Sequence, residues 1–166
     1  MKVKIKVINK RIYKGERIAD LVVNSTQKFK SINCPIKFNS AAIDEFLVIF
    51  LIAAKAKGIS SFKNLGELNK KESPRLDIAV SFLKNIGVKV ERKKDDIKIF
   101  GNPKFELNKN IHIKNFLKDH RVFMMSCIAA LSFIEHGKVI IEDKDSINTS
   151  FPSFLKILKK LGAKIN

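Results

Sequence analysis

Four short stretches gather the side chains able to move protons or hold anions: Ile43-Asp44-Glu45-Phe46, Lys71-Glu72-Ser73-Pro74-Arg75, Asp119-His120-Arg121 and Thr149-Ser150-Phe151-Pro152. Each stands ahead of a run with helical apolar spacing, so each reads as a helix start. Ser73 is placed as the N-cap of the second helix with Pro74 at N1, and Asp119 as the N-cap of the third. Acids and hydroxyls are ordinary at such places, and Asp44, Asp119 and Ser150 need be no more than caps. The cations are less ordinary. A Lys or Arg in a first turn opposes the helix macrodipole, at a cost of roughly 0.3–1 kcal/mol when exposed. Two of the five arginines, Arg75 and Arg121, stand there, with Lys71 just ahead of one of them. An anionic ligand at this pole would reverse the sign of that effect, and free backbone N–H groups would add donors. The alternative is internal pairing, of Arg75 with Asp77 or Glu72 and of Arg121 with Asp119. If the four helix starts share one cleft, its cations, carboxylates and His120 suit an anionic small molecule undergoing proton transfer.

Other chemistries find little support. The chain has no GxGxxG or GKS/T loop for a dinucleotide or a Walker-type nucleotide. His112, His120 and His136 lack paired ligand spacing with Cys or acids, so no metal and no cofactor is expected. Cys34 and Cys127 are isolated in apolar settings and read as packing residues of a reduced, cytoplasmic protein. The net charge of +17 raises nucleic acid as a partner, yet the 28 lysines are spread along the whole chain. Backbone readers cluster cations and mix in arginine and aromatics, so a solvated lysine-rich surface is expected and no nucleic-acid partner. The longest apolar run, Phe46 to Ala54, is far short of a membrane span. Met1 to Lys6 alternates like a strand and lacks the apolar core of a signal peptide. A soluble protein with no membrane partner is the expectation.

The elements that must position these residues repeat. Leu83-Lys84-Asn85-Ile86-Gly87-Val88-Lys89-Val90 returns 75 positions later as Leu158-Lys159-Lys160-Leu161-Gly162-Ala163-Lys164-Ile165. Each reads as a helix end, a Gly at C′ and a strand start. Upstream, a helix over Ile43–Lys57 runs into Gly58, and another over Asp119–His136 runs into Gly137. Short strands follow at Ile59–Lys63 and Lys138–Glu142, and extended stretches precede at Cys34–Phe38 and Ile111–Ile113. A turn at Lys93–Asp96 adds a hairpin strand at Ile97–Phe100. Val3–Ile8 and Ile18–Val23 flank the turn Lys14-Gly15 and look like the closing strands of a further unit. The fold class is α/β (α+β): two βαβαββ-type units plus the last strand pair of a third. The boundaries are 1–33 for the strand pair, 34–103 for the first unit and 104–166 for the second, all within one incomplete domain.

These motifs, in this order and at these spacings, resemble the EPSP synthase family, the 3-phosphoshikimate 1-carboxyvinyltransferases. Lys71-Glu72-Ser73-x-Arg75 with Asp119-His120-Arg121 is the most specific part. Val7-Ile8-Asn9 and Ile18-Ala19-Asp20-Leu21 look like the family's glyphosate-tolerant bacterial branch. The resemblance implies an enolpyruvyl-transferase-like domain and transfer of the enolpyruvyl group of phosphoenolpyruvate to the 5-hydroxyl of shikimate-3-phosphate, without a cofactor. It implies that only the C-terminal portion of such an enzyme is represented, that the N-terminal domain is its missing partner, and that this chain alone is inactive. Self-association through uncovered sheet edges and helix faces is also expected. Carried over, Asp44, Lys71 and Glu72 take the catalytic positions. Asp44 handles the proton of the attacking hydroxyl, and Glu72 exchanges a proton with the methylene carbon beside Lys71. Arg75, His120, Arg121 and Thr149 take the substrate-binding positions. The family's usual second acid is replaced by Pro74, which implies weaker phosphoenolpyruvate binding if that acid steadies Arg75. A UDP-N-acetylglucosamine enolpyruvyl transferase shares the fold but does not usually carry the two motifs together. A non-catalytic basic module for nucleic acid is the competitor from another class.

Overall fold

A computed structural model describes residues 1, 3–24, 28–114, 118–134 and 136–166. Strands β1 (Ile5–Tyr13) and β2 (Glu16–Val23) form an antiparallel hairpin around Lys14-Gly15. Its register shifts between Ile8 and Arg11, where Asn9 takes a positive φ of 49° and its amide donates to Asp20. Helix α1 (Phe46–Lys55) leads to β3 (Gly58–Phe62), then α2 (Arg75–Asn85) leads to the hairpin β4 (Val90–Lys93) and β5 (Asp96–Gly101). These strands make an antiparallel sheet in the order β3-β5-β4. Strand β6 (Ile111–Ile113), helix α3 (His120–Phe133), strand β7 (Val139–Ile141) and helix α4 (Phe154–Lys160) complete the described elements.

The two halves share construction as well as sequence. β6 pairs in parallel with β7 across α3, and residues 30–33 bridge in parallel to Lys57 and Ser61 across α1. Both α2 and α4 end in the same capping motif. Gly87 N donates to Lys84 O and Val88 N to Leu83 O, while Gly162 N donates to Lys159 O and Ala163 N to Leu158 O. The two glycines have φ of +92° and +99°, which a side chain would strain.

Several expected boundaries shift for local reasons. The extended stretch expected at Cys34–Phe38 pairs earlier, at residues 30–33, because Pro35 ends it and Ile36–Phe38 turns into a 3-10 helix. α1 is shorter than Ile43–Lys57, since residues 41–45 form turns and Ala56 is already extended. α3 likewise ends at Phe133, short of His136, because Ile134 bridges to Leu107. No strand follows Gly162, although one was expected to begin there.

The core explains why these helices are so apolar. Phe46 and Phe50 of α1 meet Phe62 of β3 edge-on at 5.9 and 5.1 Å between ring centres. Leu76, Ala79 and Leu83 of α2 and Val122, Met125 and Ala129 of α3 join the same cluster. Gly101 ends β5 against α1, where an added Cβ would lie 2.1 Å from the Ala56 carbonyl. A smaller cluster of Phe123, Cys127, Ile147, Phe154 and Leu158 packs α4 on α3. The β1–β2 hairpin contrasts with both, since Ile12 and Leu21 are 74% and 64% exposed.

Candidate functional site

The helix starts converge. Asp44 lies in the turn before α1, Glu72 to Arg75 lead into α2, and Asp119 to Arg121 begin α3. At their meeting point lies Arg75, whose side chain is 1% exposed. Its Nε donates to Asp119 Oδ2 at 2.8 Å, its Nη1 to Asp44 Oδ1 at 2.9 Å, and its Nη2 to Glu72 Oε2. A longer bond of 3.4 Å joins Nη2 to Asp119 Oδ1. Four of the guanidinium's five N–H groups are engaged, which leaves one Nη1 hydrogen. Burial alone would lower the pKa of Arg75, but the carboxylates outweigh it and the arginine is held above its ordinary value.

Arg121 approaches the same acids from α3. Its Nη1 donates to the Asp44 carbonyl at 3.0 Å, and its Nη2 stands 3.4 Å from Asp44 Oδ2. Asp44 therefore sits between two guanidinium groups, and at 37% side-chain exposure it is open to solvent. Asp119, at 0% exposure, also accepts from Ser73 Oγ at 2.7 Å and from the Arg121 amide at 2.9 Å.

Internal pairing and convergence are thus both present. Arg75 pairs with Glu72 as one alternative allowed, but Asp77 is taken by Arg92 and Asn69. Arg121 engages Asp119 only through its backbone, and its side chain goes to Asp44 instead. Asp119 caps α3 as expected. Ser73 is not the cap of α2: Pro74 holds that position, and the Ser73 hydroxyl turns to Asp119.

Nor do free amides open α2 to an anion. Asn69 Oδ1 accepts from the amides of Leu76 and Asp77, Ser73 O from Arg75, and Pro74 O from Ile78. The cations of this cluster, not the α2 amides, are the groups left to hold a negative ligand. The sequence offered no sign of Asn69, because a cap seven positions ahead follows no capping spacing.

Lys71 and Glu72 are exposed beside the cluster, and His120 is half-buried next to Arg121. No hydrogen bond or ion pair ties Lys71 or His120 to it among the described residues. Thr149 donates to Ser146 O at 3.4 Å, so it is not bonded to the arginines and acids that the other three helix starts bring together. Burial raises the thiol pKa of Cys34 and pushes that of Cys127 to about 11, as befits packing residues. Among the described residues no group of three or more His, Cys, Asp or Glu is placed to hold a metal ion. Nor is any helix among the described residues long and apolar enough to cross a membrane. A groove between α1 and α3, lined by Val48, Ile52, Ile128 and Phe133, includes none of these site residues.

Comparison with known proteins agrees with the motifs. The family model for EPSP synthase (3-phosphoshikimate 1-carboxyvinyltransferase) matches residues 2–158. A 3-phosphoshikimate 1-carboxyvinyltransferase from Zymomonas mobilis is 38% identical over 163 residues, covering 96% of this chain and 35% of the relative. One from Ruthia magnifica is 37% identical over 160 residues, with 95% and 35% covered. A solved EPSP synthase from Acinetobacter baumannii superposes with a TM-score of 0.87 at 31% identity, over 100% of this chain and 38% of that one. The enolpyruvyl transferase NikO from Streptomyces tendae shares the fold at 14% identity and a TM-score of 0.62. The chain spans about a third of the length of these curated relatives. On the family match and the α/β architecture together, this chain belongs to the EPSP synthase (3-phosphoshikimate 1-carboxyvinyltransferase) family.

Proposed function

We propose that this chain supplies the C-terminal part of an enzyme that transfers the enolpyruvyl group of phosphoenolpyruvate to the 5-hydroxyl of shikimate-3-phosphate. The observation that carries the reading is the buried Arg75, held by acids from three helix starts with Arg121 beside Asp44. A buried arginine with one N–H to spare, next to a second, partly exposed arginine, suits a small carboxylate and phosphate. Glu72 and Asp44 are its more exposed partners, at 59% and 37%. A ligand carboxylate that takes over the Glu72 contact on Arg75 frees Glu72, the more exposed acid, to relay a proton from solvent to the methylene carbon. C2 then becomes electrophilic, the 5-hydroxyl oxygen bonds to it, and Asp44 accepts the hydroxyl proton. Return of a methyl proton to Glu72 and cleavage of the C2–O bond to phosphate give the enol ether and inorganic phosphate. The arginines stabilise the negative charge throughout because they are fixed before the ligand arrives. Lys71, His120 and Thr149 complete the set as side chains that approach the ligand after binding.

Pro74 need not loosen Arg75. Three carboxylates already orient that guanidinium without an acid at position 74. The missing wall of the cleft matters more, since catalysis of this kind depends on closure around both substrates. The apolar residues of the β1–β2 hairpin and the α1–α3 groove suit the rest of the enzyme, and in its absence a second copy of the chain. The test is phosphate release from shikimate-3-phosphate and phosphoenolpyruvate by the purified 166-residue chain. No turnover is expected, whereas turnover at the ordinary enzymatic scale, about 1–1,000 per second, contradicts the half-site reading.

A further inference from the structure

An N-cap needs one oxygen, and Asp119 uses two. Its Oδ1 accepts from the Arg121 amide at 2.9 Å, which satisfies α3. Its Oδ2 has no part in that cap. It accepts from Arg75 Nε at 2.8 Å and Ser73 Oγ at 2.7 Å, residues 44 and 46 positions earlier in the chain. Together with the longer bond from Nη2 to Oδ1, this is a side-on, two-point grip on the guanidinium. Asp119, Ser73 and Arg75 are all buried, at 0%, 3% and 1% exposure. Such a pair is fully desolvated, so its geometry is fixed far more tightly than that of the part-buried contacts to Glu72 and Asp44.

We propose that Asp119, steadied by Ser73, is the positioning residue of the site: it sets the plane of Arg75 and locks the start of α3 to the start of α2. The inference rests on the anion-binding reading above and extends it to residues that touch no substrate. Gripping Nε and one edge of Nη2 leaves Nη1 outside the grip, with one hydrogen on Asp44 and one to spare. The same carboxylate, through the Arg121 amide, places the second arginine relative to the first. One buried group therefore sets the spacing between the two cations that a carboxylate or phosphate must bridge. It also accounts for a site that keeps its arginine oriented with proline at position 74.

Asparagine caps a helix about as well as aspartate, so Asp119→Asn separates the two roles. It keeps an oxygen for the Arg121 amide and removes the charge that grips Arg75. The experiment records the Arg75 Nε–Hε resonance and phosphoenolpyruvate affinity in the 166-residue chain by NMR. In the native chain that resonance is expected to be single and slow to exchange with water. In Asp119→Asn it should move to the position of solvated arginines and exchange quickly, with affinity at least tenfold weaker. Ser73→Ala should loosen the signal and weaken affinity severalfold, whereas Ser73→Thr, which keeps the hydroxyl, should restore both. An unchanged Arg75 resonance in folded Asp119→Asn, or equal behaviour of Ser73→Ala and Ser73→Thr, overturns the proposal. If Asp119→Asn fails to fold, the two Ser73 variants decide. If the native chain binds no phosphoenolpyruvate while the resonance responds as described, the grip stands and the proposed function is what fails.

Discussion

Arg75 shows how burial sets the worth of a charge at the level of one residue. Exposed ion pairs such as Lys70 with Glu67 are screened by water and contribute little, whereas stranding a buried partner costs about 3–5 kcal/mol. Asp119 is on the buried side of that divide. Burial alone would raise its pKa, but the hydrogen bonds and charge of Arg75, with Ser73 and the Arg121 amide, hold it below the ordinary 3.8. A carboxyl lowered by folding stabilises the native state above its unfolded pKa, and that stabilisation drains away as pH falls through the folded value. The facing groups are Arg75, Ser73 and Arg121, with Asp44 and Glu72 on the far side of the guanidinium. Urea denaturation of the native chain is therefore expected to show stability level above about pH 5 and falling below pH 3.8. Asp119→Asn should be less stable at neutral pH and lose less on acidification. A native chain and variant with parallel pH profiles would contradict this.

Much of the element scale was legible in the sequence because it is local. The Gly87 and Gly162 caps, the Lys14-Gly15 and Lys94-Asp95 turns and the apolar bodies of α1 to α3 all follow from neighbours in the chain. Helix boundaries aside, the misplaced site residues depended on distant partners. Ser73 has the residue type of an N-cap, but Asp119, 46 positions away, offers its hydroxyl a stronger acceptor. With Pro74 at the cap position, the α2 amides are satisfied by Asn69 from the preceding 3-10 helix, Gly66–Lys70. The sequence placed Arg75 and Arg121 in first turns but not the contact that the fold makes between Arg75 and Asp44, 31 positions apart. Asn69→Ala removes two acceptor bonds at once and is expected to cost about 1–2 kcal/mol, measured by chemical denaturation. No loss of stability would mean that α2 is capped by other means.

On the scale of the whole molecule, the same repeat that builds the fold builds the site. α1 and α3 occupy equivalent places in their halves, and the turn before α1 and the start of α3 face each other across Arg75. The charge of +17 gains its meaning here. The described lysines, Lys55 apart, are exposed, while Arg75 and Arg121 are set among acids. The central claim is that these helix starts form one anion-binding wall. Its most direct measurement is a titration of the 166-residue chain with phosphoenolpyruvate, followed at every backbone amide by NMR. The account predicts saturable shifts, with a dissociation constant on the order of 1 mM, confined to the surroundings of Asp44, Lys71 to Asp77 and Asp119 to Arg121. Shifts scattered over the lysines of the β1–β2 hairpin and erased by moderate salt, with these three stretches unmoved, would contradict it.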